Sequence, residues 1–179
     1  MQDRQSLPRI WLVTDERQGD RLAPAIERLP SGAGILFRHY SLDDDTRHAL
    51  FDTVRAKARA SGHLLLLAGR PELASAWGAD GWHGRGAGPG FHSASVHNGE
   101  EMRQAEANGA RLLFLGPVFP TRSHPEAPGL GPTGFQHLAS QARQPVIALG
   151  GVRQSHAKLL ASLGAFGWGA VDFWTEAGG

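Results

Sequence analysis

Two segments indicate the fold of this chain most directly: RLLFLGPVFPT at residues 111–121 and the similar QPVIALGGV at residues 144–152. Each contains a short, continuous apolar run that stops at glycine or proline. Because neither run alternates between apolar and polar residues, the pattern is typical of strands that are buried on both faces of a helix-covered parallel sheet. The glycines that follow, Gly116, Gly150 and Gly151, leave bare backbone where a strand opens into a loop, and a ligand can approach such backbone closely.

Six further predicted strands alternate along the chain with predicted helices. The full set of strands covers residues 10–14, 34–37, 63–67, 80–83, 91–95, 112–115, 146–149 and 167–171. Alternating strands and helices joined by right-handed crossovers build a parallel sheet, and eight such units close a (β/α)8 TIM barrel. We therefore predict an α/β protein, a short TIM barrel, with residues 1–179 forming a single domain.

Two helices of this barrel are predicted to be reduced. Residues 84–90 are glycine-rich and leave hardly any room for helix four, and only residues 173–179 follow strand eight. The flank between the first and seventh helices should then expose apolar surface, and such a patch tends to find a partner. We expect either a homodimer or a C-terminal tail whose Trp174 folds back over the gap.

The alternative architecture is an open, doubly wound sheet. That fold would place nucleotide chemistry in the first strand-to-helix turn. The turn reads Asp15-Glu16-Arg17 and contains no G-x-G-x-x-G pattern.

Helix starts are predicted from capping patterns. Residues 43–45 are three aspartates, which place negative charge where the helix dipole favours it, before a helix at about residues 46–60. Asn98 with Glu101, and Thr133 with Gln136, resemble capping boxes for helices that end near residues 108 and 142. Residues 120–132 hold four prolines and two glycines, so this long connection is a candidate lid.

Composition argues against several classes of protein. The 179 residues are 41% hydrophobic and 20% charged, and the net charge of +1 suggests neither nucleic acid nor a membrane surface as a partner. No apolar run approaches the length of a bilayer span, and the N-terminal MQDRQSLPRI has no signal-peptide core. The absence of cysteine excludes disulfides and thiolate metal sites and fits a cytoplasmic protein. Lys57 and Lys158 both lie in predicted helices, which argues against a Schiff-base lysine at a strand end.

The predicted C-terminal ends of the strands, where barrel enzymes have their active sites, are rich in basic side chains. They hold Arg17, Arg38, Arg70, Arg85, Arg122 and Arg153, together with His39, His83, His97 and His124. Guanidinium groups match phosphate oxygens, and Gly150 and Gly151 follow strand seven, where barrels commonly bind phosphate. The carboxylates there are few, namely Asp15, Glu16 and Asp172, so a built-in metal site is not expected.

Six short motifs follow one another along the chain: WLVTD at residues 11–15, DGWH at 80–83, SASVHN at 93–98, GPVFPT at 116–121, ALGGV at 148–152 and GA at 164–165. This ordered set resembles the thiamine phosphate synthase/TenI family and covers about residues 10–171. The resemblance implies a TIM barrel of thiamine biosynthesis. Synthase members couple a pyrimidine diphosphate to a thiazole phosphate with magnesium on the diphosphate, and TenI-type members are thiazole tautomerases.

The resemblance implies that the thiazole-phosphate end of the site is partly kept. The phosphate-binding candidates are Thr121, Ser123, Gly150, Gly151 and Val171, and the arginine-rich rim adds Arg122 to them. Where the family has a serine after the valine, this chain has Asp172, whose negative charge opposes phosphate. We expect Asp172 to pair with an arginine, and Arg122 and Arg153 to close over the anion.

The pyrimidine-diphosphate end departs further from the family pattern. Arg38, His83 and Ser95 remain as substrate-binding candidates. The family's Asn-Asp pair after strand three is Ala68-Gly69 here, and its second magnesium aspartate falls near Gly88. Magnesium is therefore expected only if synthase activity is retained, and no other cofactor is expected.

The acid–base group of the tautomerases also differs, because Pro117 occupies the position of their histidine. His97 and His124 are the catalytic candidates that remain. Three functions stay open: a thiazole-phosphate enzyme that works by proton transfer, a synthase whose missing ligands are replaced by arginines, and a non-catalytic binding or regulatory barrel. The expected ligand is in each case a small phosphorylated heterocycle.

Overall fold

A computed structural model describes residues 7–122 and 129–176, and these residues form a closed barrel of eight parallel strands. The strands are β1 (Ile10–Val13), β2 (Gly34–Phe37), β3 (Leu64–Ala68), β4 (Gly81–His83), β5 (His92–Val96), β6 (Leu112–Leu115), β7 (Val146–Ala148) and β8 (Gly167–Ala170). Each strand pairs with the next one in sequence, and β8 closes on β1 with Gly169 opposite Trp11. The predicted TIM barrel is confirmed, and the open doubly wound sheet was the wrong alternative.

The continuous apolar runs form a barrel wall that is buried on both faces. Leu113, Leu115 and Val146 pack in the layer between the strands and the helices, whereas Ile147 belongs to the cluster inside the barrel. All four are buried, as predicted. The register pairs Leu113 with Val146, so neighbouring strands present apolar side chains to the same helical layer.

Trp11 fills the interior of the barrel toward its N-terminal end. Its indole Nε1 donates to the carbonyl of Pro8 at 2.9 Å, and its ring meets the edge of Phe114 with the centroids 5.2 Å apart. A Cβ at Gly34 would lie 2.3 Å from this indole, so β2 must begin with glycine where it passes Trp11. The interior is thus packed below the C-terminal face, and open space is left at that face.

Six α-helices surround the described part of the barrel: α1 (Leu22–Glu27), α2 (Asp44–Ala60), α3 (Pro71–Trp77), α4 (Gly99–Ala107), α5 (Gly131–Ala139) and α6 (Ala157–Ser162). Short 3-10 turns, Glu16–Arg21 and Gln154–His156, precede α1 and α6. None of the helices within residues 7–122 and 129–176 is long and apolar enough to cross a bilayer.

Helix four is missing between β4 and β5, as predicted, and two aromatic side chains hold the connecting loop instead. The rings of Trp82 and His92 stack with their centroids 3.8 Å apart. Trp82 Nε1 donates to the carbonyl of Pro89 at 3.0 Å, and His92 Nε2 donates to the carbonyl of Gly84 at 2.9 Å. The glycine-rich loop is therefore tied down at both of its ends.

No helix follows β8 in the described residues, which end at 176, and the chain after β8 covers the exposed flank. Trp174 is buried, stacks on Trp168 with the centroids 5.6 Å apart, and donates from Nε1 to the carbonyl of Trp11 at 3.3 Å. Arg28 Nη1 in turn donates to the carbonyl of Trp174 at 3.0 Å. The folded-back tail is thus observed, and a homodimer stays a prediction.

The helix starts agree with the sequence analysis in two of three cases. Asp43 caps α2 by accepting from the backbone N–H of Thr46 at 3.0 Å, and Asn98 caps α4 by accepting from that of Glu101 at 2.9 Å. The box predicted at Thr133 is wrong, because α5 begins two residues earlier at Gly131. The proline that follows Gly131 suits a first helical turn and sets this earlier start. Of the candidate lid, residues 123–128 lie outside the described residues.

Candidate functional site

A cavity of about 270 Å³ opens at the C-terminal end of the barrel, where a TIM barrel carries its active site. Most of the predicted site residues line it, namely Arg38, Ser95, His97, Thr121, Arg122, Gly150, Gly151 and Val171. Phe114 and Leu149 add apolar surface. Two predicted residues, Ser123 and His124, lie outside the described residues, so their roles remain predictions.

Arg38 is held in an ion-pair network across the ends of β1, β2 and β8. Its Nε donates to the carbonyl of Thr14 at 2.9 Å, and its Nη2 lies 2.9 Å from Asp15 Oδ2. Arg17 Nε contacts the other oxygen of Asp15 at 2.7 Å, and Arg17 Nη2 lies 3.9 Å from Asp172 Oδ1. Asp172 therefore pairs with an arginine, as expected, although at long range.

The same network fixes the charge of Asp15. Burial raises the pKa of this carboxyl group, but hydrogen bonds and charge from Arg17, together with the charge of Arg38, more than offset that effect and hold the pKa below its usual value. Asp15 is thus a stable carboxylate whose two oxygens are both occupied by guanidinium groups. Arg38 reaches the cavity with part of its hydrogen-bonding capacity already used.

The glycine pair after β7 adopts backbone conformations that favour glycine. Gly150 has φ +91° and Gly151 has φ +63°. A Cβ at Gly150 would lie 2.5 Å from the Cα of Pro117, and one at Gly151 would lie 2.5 Å from the carbonyl oxygen of Pro120. The pair therefore lets the loops after β6 and β7 meet at the cavity wall, which keeps the backbone there accessible to a ligand.

Arg153, which was predicted to close over a phosphate, is held in a different interaction. Its Nη1 lies 2.8 Å from Glu176 Oε2, and both residues line the cavity. Arg122 lines the cavity as predicted. Glu176 was not predicted as a site residue, because its place depends on the path of the tail that replaces helix eight.

His97, which lines the cavity, forms a close pair with Glu101. Its Nδ1 lies 2.7 Å from Glu101 Oε2, and the same oxygen accepts from the backbone N–H of His97 at 3.0 Å. Burial raises the pKa of Glu101, but the hydrogen bonds and charge of His97 outweigh it and leave the pKa below its usual value. A carboxylate at Nδ1 selects the tautomer with the proton on Nδ1, so Nε2 is the nitrogen that exchanges a proton.

Glu101 was predicted only as a capping residue. Its carboxylate instead turns toward His97, one residue before the helix cap, and thereby orients the imidazole. The i, i+4 spacing of His97 and Glu101 is the signal that sequence reasoning could have used.

His83 lies behind Ser95 rather than on the cavity wall. Its Nδ1 is 2.9 Å from Ser93 Oγ, its Nε2 is 2.9 Å from Ser95 Oγ, and its ring meets the edge of Phe114 with the centroids 5.4 Å apart. Burial, followed by the positive charges of Arg38 and His92, lowers the pKa of His83 to about 3. His83 is therefore neutral at ordinary pH, and Ser95 lies between it and the cavity.

Magnesium, which the family normally uses, fits the described residues poorly. Residues 7–122 and 129–176 contain no group of three or more His, Cys, Asp or Glu side chains that could hold a metal. The rim carboxylates have other partners. Asp15 and Glu176 pair with arginines, Asp172 lies 3.9 Å from Arg17, and Glu16 accepts from the backbone N–H of Ser41 at 2.9 Å. Protein-bound magnesium needs one or two carboxylates beside its phosphate ligands, so we assign no step to this ion.

Comparison with known proteins supports the sequence resemblance. The family model described as thiamine monophosphate synthase matches residues 92–172. A putative thiamine-phosphate synthase 2 from Aquifex aeolicus is 30% identical, over 95% of this chain and 99% of the relative. A thiamine-phosphate synthase from Pyrococcus furiosus is 27% identical, over 92% of this chain and 85% of the relative.

A solved structure agrees with these relatives. The thiamine phosphate pyrophosphorylase from Pyrococcus furiosus superposes with a TM-score of 0.79 at 27% identity, covering 94% of this chain and 87% of that protein. The full-length match at 30% identity, the shared barrel and the cavity at its C-terminal end lead to one conclusion. The chain belongs to the thiamine phosphate synthase/TenI family of thiamine biosynthesis.

Proposed function

We propose that the chain is an enzyme that binds a thiazole phosphate in the cavity and moves a proton on it, with His97 as the acid–base group. The observation that carries this proposal is the 2.7 Å contact between His97 Nδ1 and Glu101, on a wall of the same cavity as the glycine pair. A carboxylate that orients an imidazole is the usual arrangement of a general acid–base histidine. The phosphate would lie against Gly150 and Gly151, with Arg122 and Arg153 nearby.

The proposed step is an isomerisation and needs no further reactant. Nε2 of His97 takes a proton from one position of the heterocycle and returns a proton to another position. The composition and the oxidation state of the ligand are unchanged. Glu101 keeps Nδ1 protonated and stabilises the imidazolium that forms while the proton is on Nε2.

A second candidate is the coupling of a pyrimidine diphosphate to a thiazole phosphate, because relatives that match most of the chain are named thiamine-phosphate synthases. This reaction expels a diphosphate whose developing charge a metal ion normally stabilises. In this chain Arg38 and its neighbours would have to supply that stabilisation. We place this candidate second because the described rim carboxylates are paired with other groups.

The experiment follows a thiazole phosphate in D₂O by NMR. The wild type should catalyse exchange of carbon-bound protons for deuterium. His97→Gln should slow this exchange by about 100-fold or more, the usual contribution of an acid–base group, and leave the affinity for the ligand largely unchanged. The exchange rate of Glu101→Gln should lie between the rates of the wild type and of His97→Gln. His137→Gln, on the outer helix α5, is the matched control.

Two outcomes would redirect the proposal. If the wild type shows no exchange but couples the two substrates, the synthase is the correct function. If neither reaction occurs while the thiazole phosphate binds, the chain is a non-catalytic binding barrel. We propose a single domain over residues 1–179 and a cytoplasmic location whichever of these functions is correct.

A further inference from the structure

The side chain of Gln18 joins the ends of the first and last strands of the barrel. The paired register of β1 and β8 ends at Leu12 and Ala170. Beyond that point the carboxamide of Gln18 bridges the two chains, because its Nε2 donates to the carbonyl of Val13 at 3.2 Å and to that of Val171 at 2.8 Å. Gln18 lies in the turn after β1 and is only 2% exposed. No step of the proposed proton transfer uses this buried group.

The orientation of this carboxamide is fixed by its partners. Its Oε1 accepts from the backbone N–H of Asp15 at 3.0 Å, so both N–H donors and the oxygen are engaged. The opposite orientation would place the oxygen against two carbonyl oxygens and the NH₂ group against an N–H. Asp15 is itself held by the guanidinium groups of Arg17 and Arg38. A buried amide with all these bonds made is rigid, so Gln18 holds the carbonyl of Val171 in place.

The direction of the Val171 carbonyl determines the direction of the next backbone N–H group. In a planar trans peptide the C=O and N–H groups point in opposite directions. The C=O of Val171 points to Gln18, on the β1 side of β8, so the N–H of Asp172 points away from β1. The neighbour of β8 on the other side is β7, which Gly150 and Gly151 follow. The N–H of Asp172 is therefore directed toward the glycine pair.

Three backbone N–H groups at this part of the cavity have no protein acceptor within residues 7–122 and 129–176. They belong to Gly150, Gly151 and Asp172, and all three residues line the cavity. The turn of the tail uses only the carbonyl of Asp172, which accepts from the N–H of Thr175 at 2.9 Å. Successive amide groups that point into one concavity bind anions.

We infer that Gln18 is a positioning residue for an oxyanion at the glycine pair: it turns the peptide between Val171 and Asp172 so that the N–H of Asp172 donates to the anion. This inference deepens the proposed function and rests on it, because it needs a phosphate group in this part of the cavity. It also separates two effects of Asp172. Its carboxylate, 3.9 Å from Arg17, opposes an anion, whereas its peptide N–H favours one.

The first test uses NMR on the wild type, and its first half needs no ligand. A through-hydrogen-bond coupling should connect the side-chain amide of Gln18 to the carbonyl carbon of Val171. Saturating inorganic phosphate should then move the amide proton of Asp172 downfield, together with those of Gly150 and Gly151. A missing coupling overturns the inference, and so does an Asp172 amide that does not respond to phosphate.

The second test compares a thiazole phosphate with the corresponding thiazole alcohol, which differs from it only by the phosphate group. Gln18→Met keeps the length of the side chain and removes its hydrogen-bonding groups. Calorimetric titration should show that this variant binds the phosphate about tenfold or more weakly than the wild type, the range for one hydrogen bond to a charged group. Its affinity for the alcohol should change little. Gln104→Met, on the exposed face of α4, is the matched control.

The proton-exchange assay in D₂O separates positioning from a general loss of structure. In Gln18→Met the effect should appear in KM rather than in kcat, because the contact of His97 with Glu101 is retained. An equal loss of affinity for the phosphate and the alcohol, or an unchanged affinity for the phosphate, overturns the inference. Failure of the proposed function looks different. In that case the coupling at Gln18 is present and Gln18→Met still weakens binding of inorganic phosphate, but the wild type exchanges no protons of the thiazole phosphate.

Discussion

Arg153 Nη1 lies 2.8 Å from Glu176 Oε2, on the wall of the cavity that both residues line. Arg153 follows β7, and Glu176 belongs to the tail that replaces helix eight. An arginine at the expected phosphate end is therefore paired with a carboxylate of the tail. A phosphate must compete with Glu176 for this guanidinium group.

Removing that competition should strengthen phosphate binding. Glu176→Gln should bind a thiazole phosphate about two- to fivefold more tightly than the wild type, because exposed ion pairs contribute less than about 1 kcal/mol. Calorimetric titration measures the change. Glu100→Gln, which removes an exposed carboxylate paired with Arg103 on the outer helix α4, is the control. Weaker binding by Glu176→Gln would show that the pair supports the site instead.

Asp172 should also weaken anion binding, and its distance of 3.9 Å from Arg17 makes only a partial ion pair. Asp172→Ser, which restores the family's residue, should tighten binding of a thiazole phosphate by about tenfold or less, since the carboxylate is partly screened by water. Calorimetric titration of a thiazole phosphate into the wild type and Asp172→Ser measures the change in affinity. An unchanged or lower affinity would mean that Arg17 neutralises Asp172 fully, or that the phosphate lies elsewhere.

The tail should contribute strongly to stability through Trp174. Trp174→Ala removes a buried indole that stacks on Trp168, and it should lower the free energy of unfolding by about 3 kcal/mol. Urea denaturation measures this loss. Tyr40→Ala removes an aromatic ring that is 64% exposed and should cost less than about 1 kcal/mol. Equal losses in the two variants would contradict the role given to the tail.

The homodimer remains a prediction, and sedimentation of the wild type and of Trp174→Ala tests it. If the tail alone covers the flank, the wild type should be a monomer and Trp174→Ala should associate through the uncovered apolar surface. A wild-type dimer that persists in the variant would place the dimer interface elsewhere.

His83 should make stability depend on pH. Its pKa is about 3 in the folded chain, compared with 6.5 for an ordinary histidine, so between these values the unfolded state binds a proton that the folded state does not. Stability therefore falls as the pH is lowered from about 6.5 toward about 3, by up to about 1.4 kcal/mol per pH unit. His83→Gln should flatten this slope in urea denaturation series, and an unchanged slope would show that His83 is already charged in the folded state.

Any coupling activity should be slow and respond little to magnesium. The described rim offers no free pair of carboxylates to place the ion, as the arginine contacts of Asp15 and Glu176 show. An assay of thiamine phosphate formation with magnesium and with a chelator measures the response. Fast, strictly magnesium-dependent coupling would make the synthase the leading function.

The barrel was predictable because its strands are continuous apolar runs, as at residues 112–115 and 146–148, and because strands and helices alternate. The residues of the cavity were largely predictable as well, since any residue that follows a strand of a barrel lies at the same end. The individual contacts were not. Whether His83 faces the cavity or packs behind Ser95 depends on the tilt and register of β4 and β5, which a single sequence does not specify.

The roles of Glu101 and Glu176 were missed for two different physical reasons. Glu101 has two possible partners within one helical turn, and its carboxylate bonds to His97 instead of completing the capping box. Glu176 reaches Arg153 only because the chain after β8 folds back with Trp174, and that path depends on tertiary packing.

The central claim is that the cavity binds a thiazole phosphate with its phosphate at the glycine pair. A crystal structure of the protein with this ligand tests it most directly. The account predicts the phosphate group against the backbone of Gly150 and Gly151, Arg153 released from Glu176 toward the phosphate, and the heterocycle within reach of His97 Nε2. A ligand whose phosphate lies at the ends of β2 to β4, or crystals that stay empty at saturating ligand, would contradict it.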